Sequence, residues 1–322
     1  MTLRTPLCDL LGVEHPIMLA GMGGVSYASV CAAVSEAGGY GCLGMAGRSP
    51  DEIRAEMQKV RALTDKPFGV DLLAAVPGSL EASVEIIIKE GASAFIAGLG
   101  IPSAIITRLH DAGLKAMVVG GAVSHALKAQ EAGCDAVICQ GSEGGGHTGL
   151  VGTFPLVAQA VQAVTIPVIA AGGIYDGRGL AAALSLGAQG VWLGTRFIAS
   201  KEAHAGDIYK RAVVAARDVD TVRTRSYSGK PMRVKDNAWV KDWESRPGDI
   251  QAFPMQAMVT MQAGAMGGIG GQIDGLDPDR SCFAMGQSAG GIHEILSCKE
   301  IIDSLITEAK AAIARTQALV RA

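Results

Sequence analysis

Short apolar runs alternate with helical stretches along the first two thirds of the chain. A glycine phrase, such as EAGGYG at 36–41 or EAGCDA at 131–136, recurs five times; each instance follows a helical stretch and precedes a β-branched apolar run. Glycine suits a helix end because it adopts the left-handed conformation without a Cβ clash. The glycines expected to end helices in this way are Gly38, Gly91, Gly113, Gly133 and Gly187.

This pattern predicts eight strands and eight helices in alternation. The predicted strands are 16–20, 41–44, 67–72, 94–97, 115–119, 135–139, 166–170 and 189–193. The predicted helices are 26–37, 50–63, 79–90, 102–112, 123–132, 155–163, 177–186 and 203–216. The strands are apolar on both faces, which is typical of a parallel sheet covered by helices. The alternation favours a closed (β/α)8 barrel, the α/β TIM-barrel fold, over an open doubly wound sheet.

The alternation stops near residue 217, which divides the sequence into three parts. Residues 1–216 are expected to form the barrel, and 217–287 an insertion or lid that covers a substrate cleft. Residues 288–322 are expected to form a terminal helix packed on the barrel, because apolar residues recur there at helical spacing.

Composition narrows the class of protein. Of 322 residues, 43 are glycine, nearly twice the usual ~7%. A hydrophobic content of 49% argues against disorder, and a formal net charge of −3 leaves no basic surplus for nucleic acid. The seven cysteines include no CxxC pair, so a disulfide framework or a structural zinc site is not expected and a reducing cytoplasm is.

Two long segments, 144–175 and 251–273, contain no Asp, Glu, Lys or Arg. Prolines, glutamines and glycines interrupt both, so neither is the continuous apolar stretch that a membrane helix requires. Both are expected to be buried or to line a cleft. The first residues contain no long apolar run typical of a signal peptide, so the prediction is a cytoplasmic protein without a membrane partner.

Glycine-rich stretches follow four of the predicted strands, at 21–24, 141–149, 172–173 and 194. In a (β/α)8 barrel these loops lie at the end that contains the active site. Glycines after the last two strands would allow backbone N–H groups to approach a phosphate. Tight turns are the simpler explanation for any one loop, but two such loops on neighbouring strands favour phosphate binding.

The sequence EGGGHTG at 143–149 is the strongest candidate for chemistry. Three consecutive glycines allow the backbone to lie flat against a planar ligand, and His147 can exchange a proton near neutral pH. The alternative for His147 is a polar loop residue with satisfied hydrogen bonds. His110 and His125 fall in predicted helices and are expected at the surface or between helices. No metal-ligand spacing or P-loop lysine is present.

Taken together, these motifs resemble the nitronate monooxygenase (2-nitropropane dioxygenase) family of FMN enzymes, which also contains FMN-dependent enoyl-acyl-carrier-protein reductases. The resemblance covers most of the chain. It rests on HPIMLAGM at 15–22, AVSEAGGYGCLG at 33–44, LTDKPFGVDL at 63–72, GSEGGGHTG at 141–149, PVIAAGGIYDGRGLAAALSLGA at 167–188, GTRF at 194–197 and GQSAGGI at 286–292. Residues 143–147 read Glu-Gly-Gly-Gly-His, whereas the family often has Glu-Ala-Gly-Gly-His. This variant and SCKEIIDSLI at 297–306 are also similar to actinobacterial CoA-thioester reductases of steroid-ring breakdown.

The resemblance implies a noncovalent FMN across the barrel mouth, with His147 as the catalytic histidine. Asp71 stands where many relatives have Asn, and an ionised Asp cannot donate to a flavin carbonyl. The residues that the resemblance assigns to FMN are Gly21, Met22, Asp71, Gln140, Gly145 and Gly146 at the ring, and Gly172, Gly173, Gly194 and Thr195 at the phosphate.

Two activities follow from the resemblance. The leading one is oxidation of an alkyl nitronate by O2 to a carbonyl compound and nitrite. The alternative is NAD(P)H-dependent reduction of an enoyl-carrier or acyl-CoA thioester. Lys230, Arg233 and Lys235 could then meet a phosphate, although a solvated charged face explains them more simply.

A third hypothesis is a flavin-free barrel enzyme for phosphate ligands, such as an aldolase. It requires a Schiff-base lysine or paired carboxylates at strand ends, and the predicted strand ends offer neither. The substrate is expected to be a small molecule in each case. The oligomeric state stays open, with a homodimer among the alternatives.

Overall fold

A barrel of eight parallel strands forms the body of the molecule. The computed structural model describes residues 3–74, 80–101 and 103–320. The barrel strands are β1 (Ile17–Leu19), β2 (Gly41–Gly44), β3 (Phe68–Leu73), β4 (Ala94–Gly98), β5 (Lys115–Gly120), β6 (Ala136–Gln140), β8 (Val168–Ala171) and β9 (Gly190–Leu193). Strand β7 (Gly146–His147) lies between β6 and β8 in the chain and belongs to a separate small sheet. All eight predicted strands are confirmed.

The strands pair in chain order around the barrel, and the last returns to the first. Strand β9 pairs with β1 in parallel, with Ile17 opposite Val191. The gap between β1 and β2 is closed by a bridge from Met18 to Tyr40, in which the Leu19 amide donates to the Tyr40 carbonyl at 2.9 Å. The sheet therefore closes on itself, which confirms the predicted (β/α)8 barrel.

The helices of the described chain are α1 (Pro6–Leu11), α2 (Ala28–Glu36), α3 (Pro50–Leu63), α4 (Leu80–Lys89), α5 (Ser103–Asp111), α6 (Val123–Glu131), α7 (Thr153–Ala163), α8 (Gly177–Ser185), α9 (Thr195–Ile198), α10 (Asp207–Val214), α11 (Ala238–Glu244), α12 (Met255–Gln262) and α13 (Cys298–Gln317). Helices α2 to α8 pack around the outside of the barrel strands. The eight predicted helices correspond to α2 through α8 and α10. The five glycines expected to end helices all have positive φ, as predicted.

The barrel interior is filled from one end by helix α1. Its Leu7, Cys8 and Leu11 are buried together with inward-facing residues such as Met18 and Ile138. The Thr5 hydroxyl, just before α1, donates to the Gln189 carbonyl at 2.6 Å, next to the start of β9. In the part of the chain that the structure describes, this plug closes the N-terminal end of the strands and leaves the end with the glycine-rich loops open to a ligand.

The segment after α10 builds a three-stranded sheet beside the barrel mouth. Strand β10 (Thr221–Thr224) pairs antiparallel with β11 (Met232–Lys235), and β11 pairs antiparallel with β7. His147 thus lies opposite Met232. Behind the sheet a small core buries Tyr227, Val240 and Cys282. The loop after barrel strand β6 and the segment after residue 217 therefore share one sheet.

The terminal helix α13 packs against α2 and α8. It begins at Cys298 rather than at 288, because Ser297 and Glu300 form a capping box there and the preceding residues include a 3-10 turn, Gln287–Gly291. Its Glu308 carboxylate accepts from the Gly177 amide at the start of α8, at 2.9 Å. Within the described residues, no helix is long and apolar enough to cross a membrane.

Candidate functional site

A cavity of about 680 Å³ opens at the C-terminal ends of the barrel strands. The eleven residues that the resemblance assigns to FMN and to catalysis all line it. They come from strands β3, β6 and β7 and from the loops after β1, β6, β8 and β9, which lie far apart in the chain. The structure thus brings the predicted site residues to one place.

The loops after β8 and β9 form one wall of the cavity. Gly172 and Gly173 have φ of +99° and +74°, a conformation that disfavours other residues. A Cβ on Gly172 would lie 2.9 Å from the Thr153 hydroxyl oxygen, so a side chain has no room there. Within the described chain, the amides of Gly172, Gly173 and Gly194 donate to no acceptor. These free N–H groups in a cavity match the needs of a phosphate.

Thr195 adds a hydroxyl to this wall. Its Oγ1 accepts a hydrogen bond from the Gly286 amide at 2.9 Å, which leaves its own proton free to donate. Thr195 is buried at the start of the short helix α9. The threonine therefore ties the loop after β9 to the segment around 286 while it keeps one donor for a ligand.

Asp71 lies at the cavity floor near the end of β3. Gly21 packs directly on it, since a Cβ on Gly21 would lie 2.2 Å from the Asp71 Cβ. Asp71 is 8% exposed, and burial raises the pKa of its carboxyl well above the ordinary value, with no nearby cation to oppose the effect. This shift favours the neutral carboxyl, which carries a proton that it can donate. In that form Asp71 can act as a donor, as an Asn would.

Gln140 holds the triple-glycine loop in place. Its amide nitrogen donates to the carbonyls of Gly145 at 3.3 Å and His147 at 3.0 Å. Because both partners are acceptors, the side-chain oxygen Oε1 is left to accept from a ligand. Gly145 must be glycine here, since a Cβ would approach the backbone of Met285 to 2.8 Å.

His147 lines the cavity from β7. Its Nε2 lies 2.9 Å from the Ser228 hydroxyl oxygen, and its ring meets the Phe253 ring edge to face, with centroids 6.4 Å apart. Burial, with a smaller contribution from the Lys230 ammonium, lowers the pKa of His147 to about 4. The imidazole is therefore neutral near pH 7 and can accept a proton.

These observations fit an FMN. The free amides suit its phosphate, bare glycine backbone at 21 and 145–146 suits a flat ring, and a neutral Asp71 with Gln140 Oε1 offers one donor and one acceptor to a polar ring edge. The donor set does not suit a metal ion: within the described residues no group of three or more His, Cys, Asp and Glu side chains converges. All seven cysteines are buried and unpaired, as expected of core residues.

Lys230 and Ile269 line the cavity from the segment after residue 217, in line with the expectations that Lys230 could meet a ligand and that 251–273 lines a cleft. Ser228, which contacts His147 from behind, was not predicted from the sequence. His125 is exposed, as expected, but it also lines the cavity, because α6 starts directly after β5. Only the short spacing between β5 and α6 could have suggested this position.

Two expectations for the segment after residue 217 need correction. Arg233 is not part of a solvated face: it is 9% exposed, and its guanidinium donates to the Ser142 carbonyl at 2.9 Å. The Arg233 guanidinium therefore holds the loop after β6 in place. The segment 251–273 is only partly cleft-lining, because Met255, Met258 and Met261 on α12 are exposed.

Comparison with known proteins assigns the family. The nitronate monooxygenase family model matches residues 4–83 and 75–308. A Mycobacterium tuberculosis (strain ATCC 25618 / H37Rv) protein, (3aS,4S,5R,7aS)-5-hydroxy-7a-methyl-1-oxo-octahydro-1H-indene-4-carboxyl-CoA dehydrogenase, is 38% identical over 99% of this chain and 100% of its own. A probable nitronate monooxygenase of Staphylococcus aureus (strain MSSA476) is 34% identical over 80% of this chain and 85% of its own.

Among solved structures, FabK from Thermotoga maritima superposes with a TM-score of 0.92 and 39% identity over 99% of this chain and 100% of that one. The family model covers nearly the whole chain, and these relatives share the barrel together with the segment that follows it. The protein therefore belongs to the nitronate monooxygenase family of flavin-dependent oxidoreductases.

Proposed function

We propose that this protein is an FMN-dependent oxidoreductase of an acyl-CoA thioester, with NAD(P)H as the reductant. The similarity to the mycobacterial CoA-ester dehydrogenase supports the substrate class, because it extends over 99% of this chain and 100% of that protein. The relative named a probable nitronate monooxygenase matches only 80% of this chain. The likeness to the CoA-ester enzyme thus extends further along the chain.

The cavity walls would hold the cofactor by complementary contacts. The free amides of Gly172, Gly173 and Gly194 would bind the FMN phosphate, and Thr195 would add its hydroxyl. Asp71 would donate to the polar edge of the ring and Gln140 Oε1 would accept from it. FMN, once bound, supplies the hydride exchange that no side chain can perform.

His147 would handle the proton of the reaction. Reduction adds a hydride to one carbon of the substrate and a proton to its neighbour, which is next to the thioester carbonyl. The ring nitrogen that does not contact Ser228, Nδ1, is free of protein partners in the described chain and can take up a proton from water and pass it to that carbon. Lys230, whose Nζ lies 4.7 Å from the Phe253 ring centre, would attract the anionic CoA group toward the cavity.

Nitronate oxidation, the leading expectation from the sequence, is the second candidate. A nitronate is a small anion, and the Lys230 ammonium beside a neutral His147 is the one feature of the cavity that favours it. The nitronate would lie beside His147, and O2 would be the oxidant. In this reaction no pyridine nucleotide is consumed.

Anaerobic mixing of the purified yellow protein distinguishes the two candidates. We expect NADH or NADPH to bleach the flavin and an α,β-unsaturated acyl-CoA to restore the colour. A nitronate that bleaches the flavin, in protein that neither NADH nor NADPH reduces, would establish the second candidate instead. We expect His147→Ala to keep its flavin and to lose turnover by roughly 10²-fold or more; unchanged turnover would contradict the role of His147.

A further inference from the structure

The side chain of Ser228 lies directly behind His147. Ser228 is 4% exposed and does not line the cavity, so it can influence a ligand only through its neighbour. It belongs to the loop between β10 and β11, whereas His147 is on β7. The contact therefore joins the segment after residue 217 to the loop after β6.

The hydrogen bonds around Ser228 define where its single proton goes. Its Oγ lies 2.9 Å from His147 Nε2, 3.1 Å from the Lys230 carbonyl oxygen and 3.3 Å from the Lys230 amide. A carbonyl oxygen can only accept, and a backbone amide can only donate. If the hydroxyl donates to the Lys230 carbonyl, its two lone pairs are available for the amide and for an N–H on His147.

The opposite arrangement leaves a polar group unsatisfied. If the hydroxyl donated to His147 instead, the half-buried Lys230 carbonyl would lose its Ser228 donor. The backbone on either side of the ring is also held: the His147 carbonyl accepts from Gln140, and the Thr148 amide donates to the Pro231 carbonyl at 3.3 Å. The imidazole meets Ser228 through Nε2.

We propose that Ser228 is a positioning residue, which holds His147 in the tautomer with the proton on Nε2 and leaves the lone pair of Nδ1 facing the ligand, free to take up a proton from water and pass it to the substrate. This inference rests on the proposed role of His147. It adds that the segment after residue 217 supplies the group that prepares the histidine. A protein with the same cavity but without this hydroxyl would present two tautomers, and only one of them accepts at Nδ1.

Imidazole 15N NMR of the flavin-loaded enzyme tests the tautomer without any substrate. The chain has six histidines, and a spectrum of His147→Gln identifies the His147 resonances. We expect a protonated Nε2 and an unprotonated Nδ1 at pH 7 in the wild type. A proton on Nδ1 would overturn the proposal. Because no substrate is present, this result does not depend on which reaction the enzyme catalyses.

Variants connect the tautomer to turnover. We expect Ser228→Ala to mix the two tautomers and to lower kcat about tenfold, the effect of one hydrogen bond, with little change in KM. Ser228→Thr keeps the hydroxyl and should show the tautomer and the kcat of the wild type. Ser226→Ala is the matched control, since Ser226 is buried and its hydroxyl contacts no partner in the described chain.

Three results would count against the role of Ser228: an unchanged tautomer in Ser228→Ala, an equal loss of kcat in Ser226→Ala, or failure of Ser228→Thr to recover. If Ser228→Ala does not fold, the wild-type spectrum still decides the tautomer. If the tautomer is as expected but no thioester is turned over, the proposed substrate fails and the positioning role stands.

Discussion

The raised pKa of the Asp71 carboxyl can be measured through the pH dependence of the free energy of unfolding. The change is Asp71→Asn, which keeps the shape and a hydrogen-bond donor but removes the ionisable group. Asp71 lies between Gly21 and Gly98 on the cavity floor, and Cys42 is the other titratable group that faces it from the neighbouring strand β2. Burial raises the pKas of both groups. Since a cysteine thiol carries no positive charge, Cys42 does not stabilise an ionised Asp71.

The sign of the effect follows from proton binding. Above about pH 4 the unfolded chain releases the Asp71 proton, whereas the folded protein keeps it until pH reaches the raised pKa. The folded state then binds more protons than the unfolded state. The free energy of unfolding contributed by Asp71 therefore falls by up to about 1.4 kcal/mol for each pH unit in that window.

Urea unfolding of wild type and Asp71→Asn without flavin, at intervals from pH 5 to pH 8, measures this contribution. We expect the variant to gain stability over the wild type as pH rises, because only the wild type has to keep a buried proton. FMN affinity at pH 6 should differ between the two by no more than a few-fold, since both offer a donor. A stability difference that is the same at every pH would refute the neutral carboxyl.

Three further outcomes follow from the structure. Gly172→Ala should weaken FMN binding at least tenfold in a fluorescence titration, because its Cβ would enter the phosphate wall; Gly113→Ala, also at positive φ but in open space, should share the backbone strain and bind FMN normally. Ser49→Ala should cost about 1 kcal/mol in urea unfolding, since it removes the capping box of α3, and leave FMN affinity unchanged. Lys230→Met should raise the pKa of His147 from about 4, measured by NMR titration, because it removes the nearby positive charge.

The barrel could be predicted from the sequence because its evidence is local. Five of the barrel helices end on a glycine at positive φ, and a short apolar strand follows each of them, so neither feature depends on distant residues. Helix α1 was missed because six residues are too few to show a helical period. Its role as a plug depends on the shape of the closed barrel, which only the fold defines.

The site could be predicted in its glycines and in His147, but not in the contacts that tune them. Strand β7 is two residues long and pairs with β11 far along the chain, so no local pattern indicates it. Ser228 and Lys230 reach His147 through that pairing. The raised pKa of Asp71 could not be predicted either, because it depends on how deeply the fold buries the carboxyl.

The most direct test of the account is the flavin content of the purified protein. We expect a yellow protein whose absorbance in the flavin bands, after the cofactor is released by heat and identified by chromatography, corresponds to one FMN per chain. Apo-protein prepared by removal of the cofactor should bind FMN again at the same ratio. A colourless protein that does not take up FMN would contradict the assignment of the glycine-rich cavity to the flavin. Equal FMN affinity of the wild type and Gly172→Ala would contradict it as well.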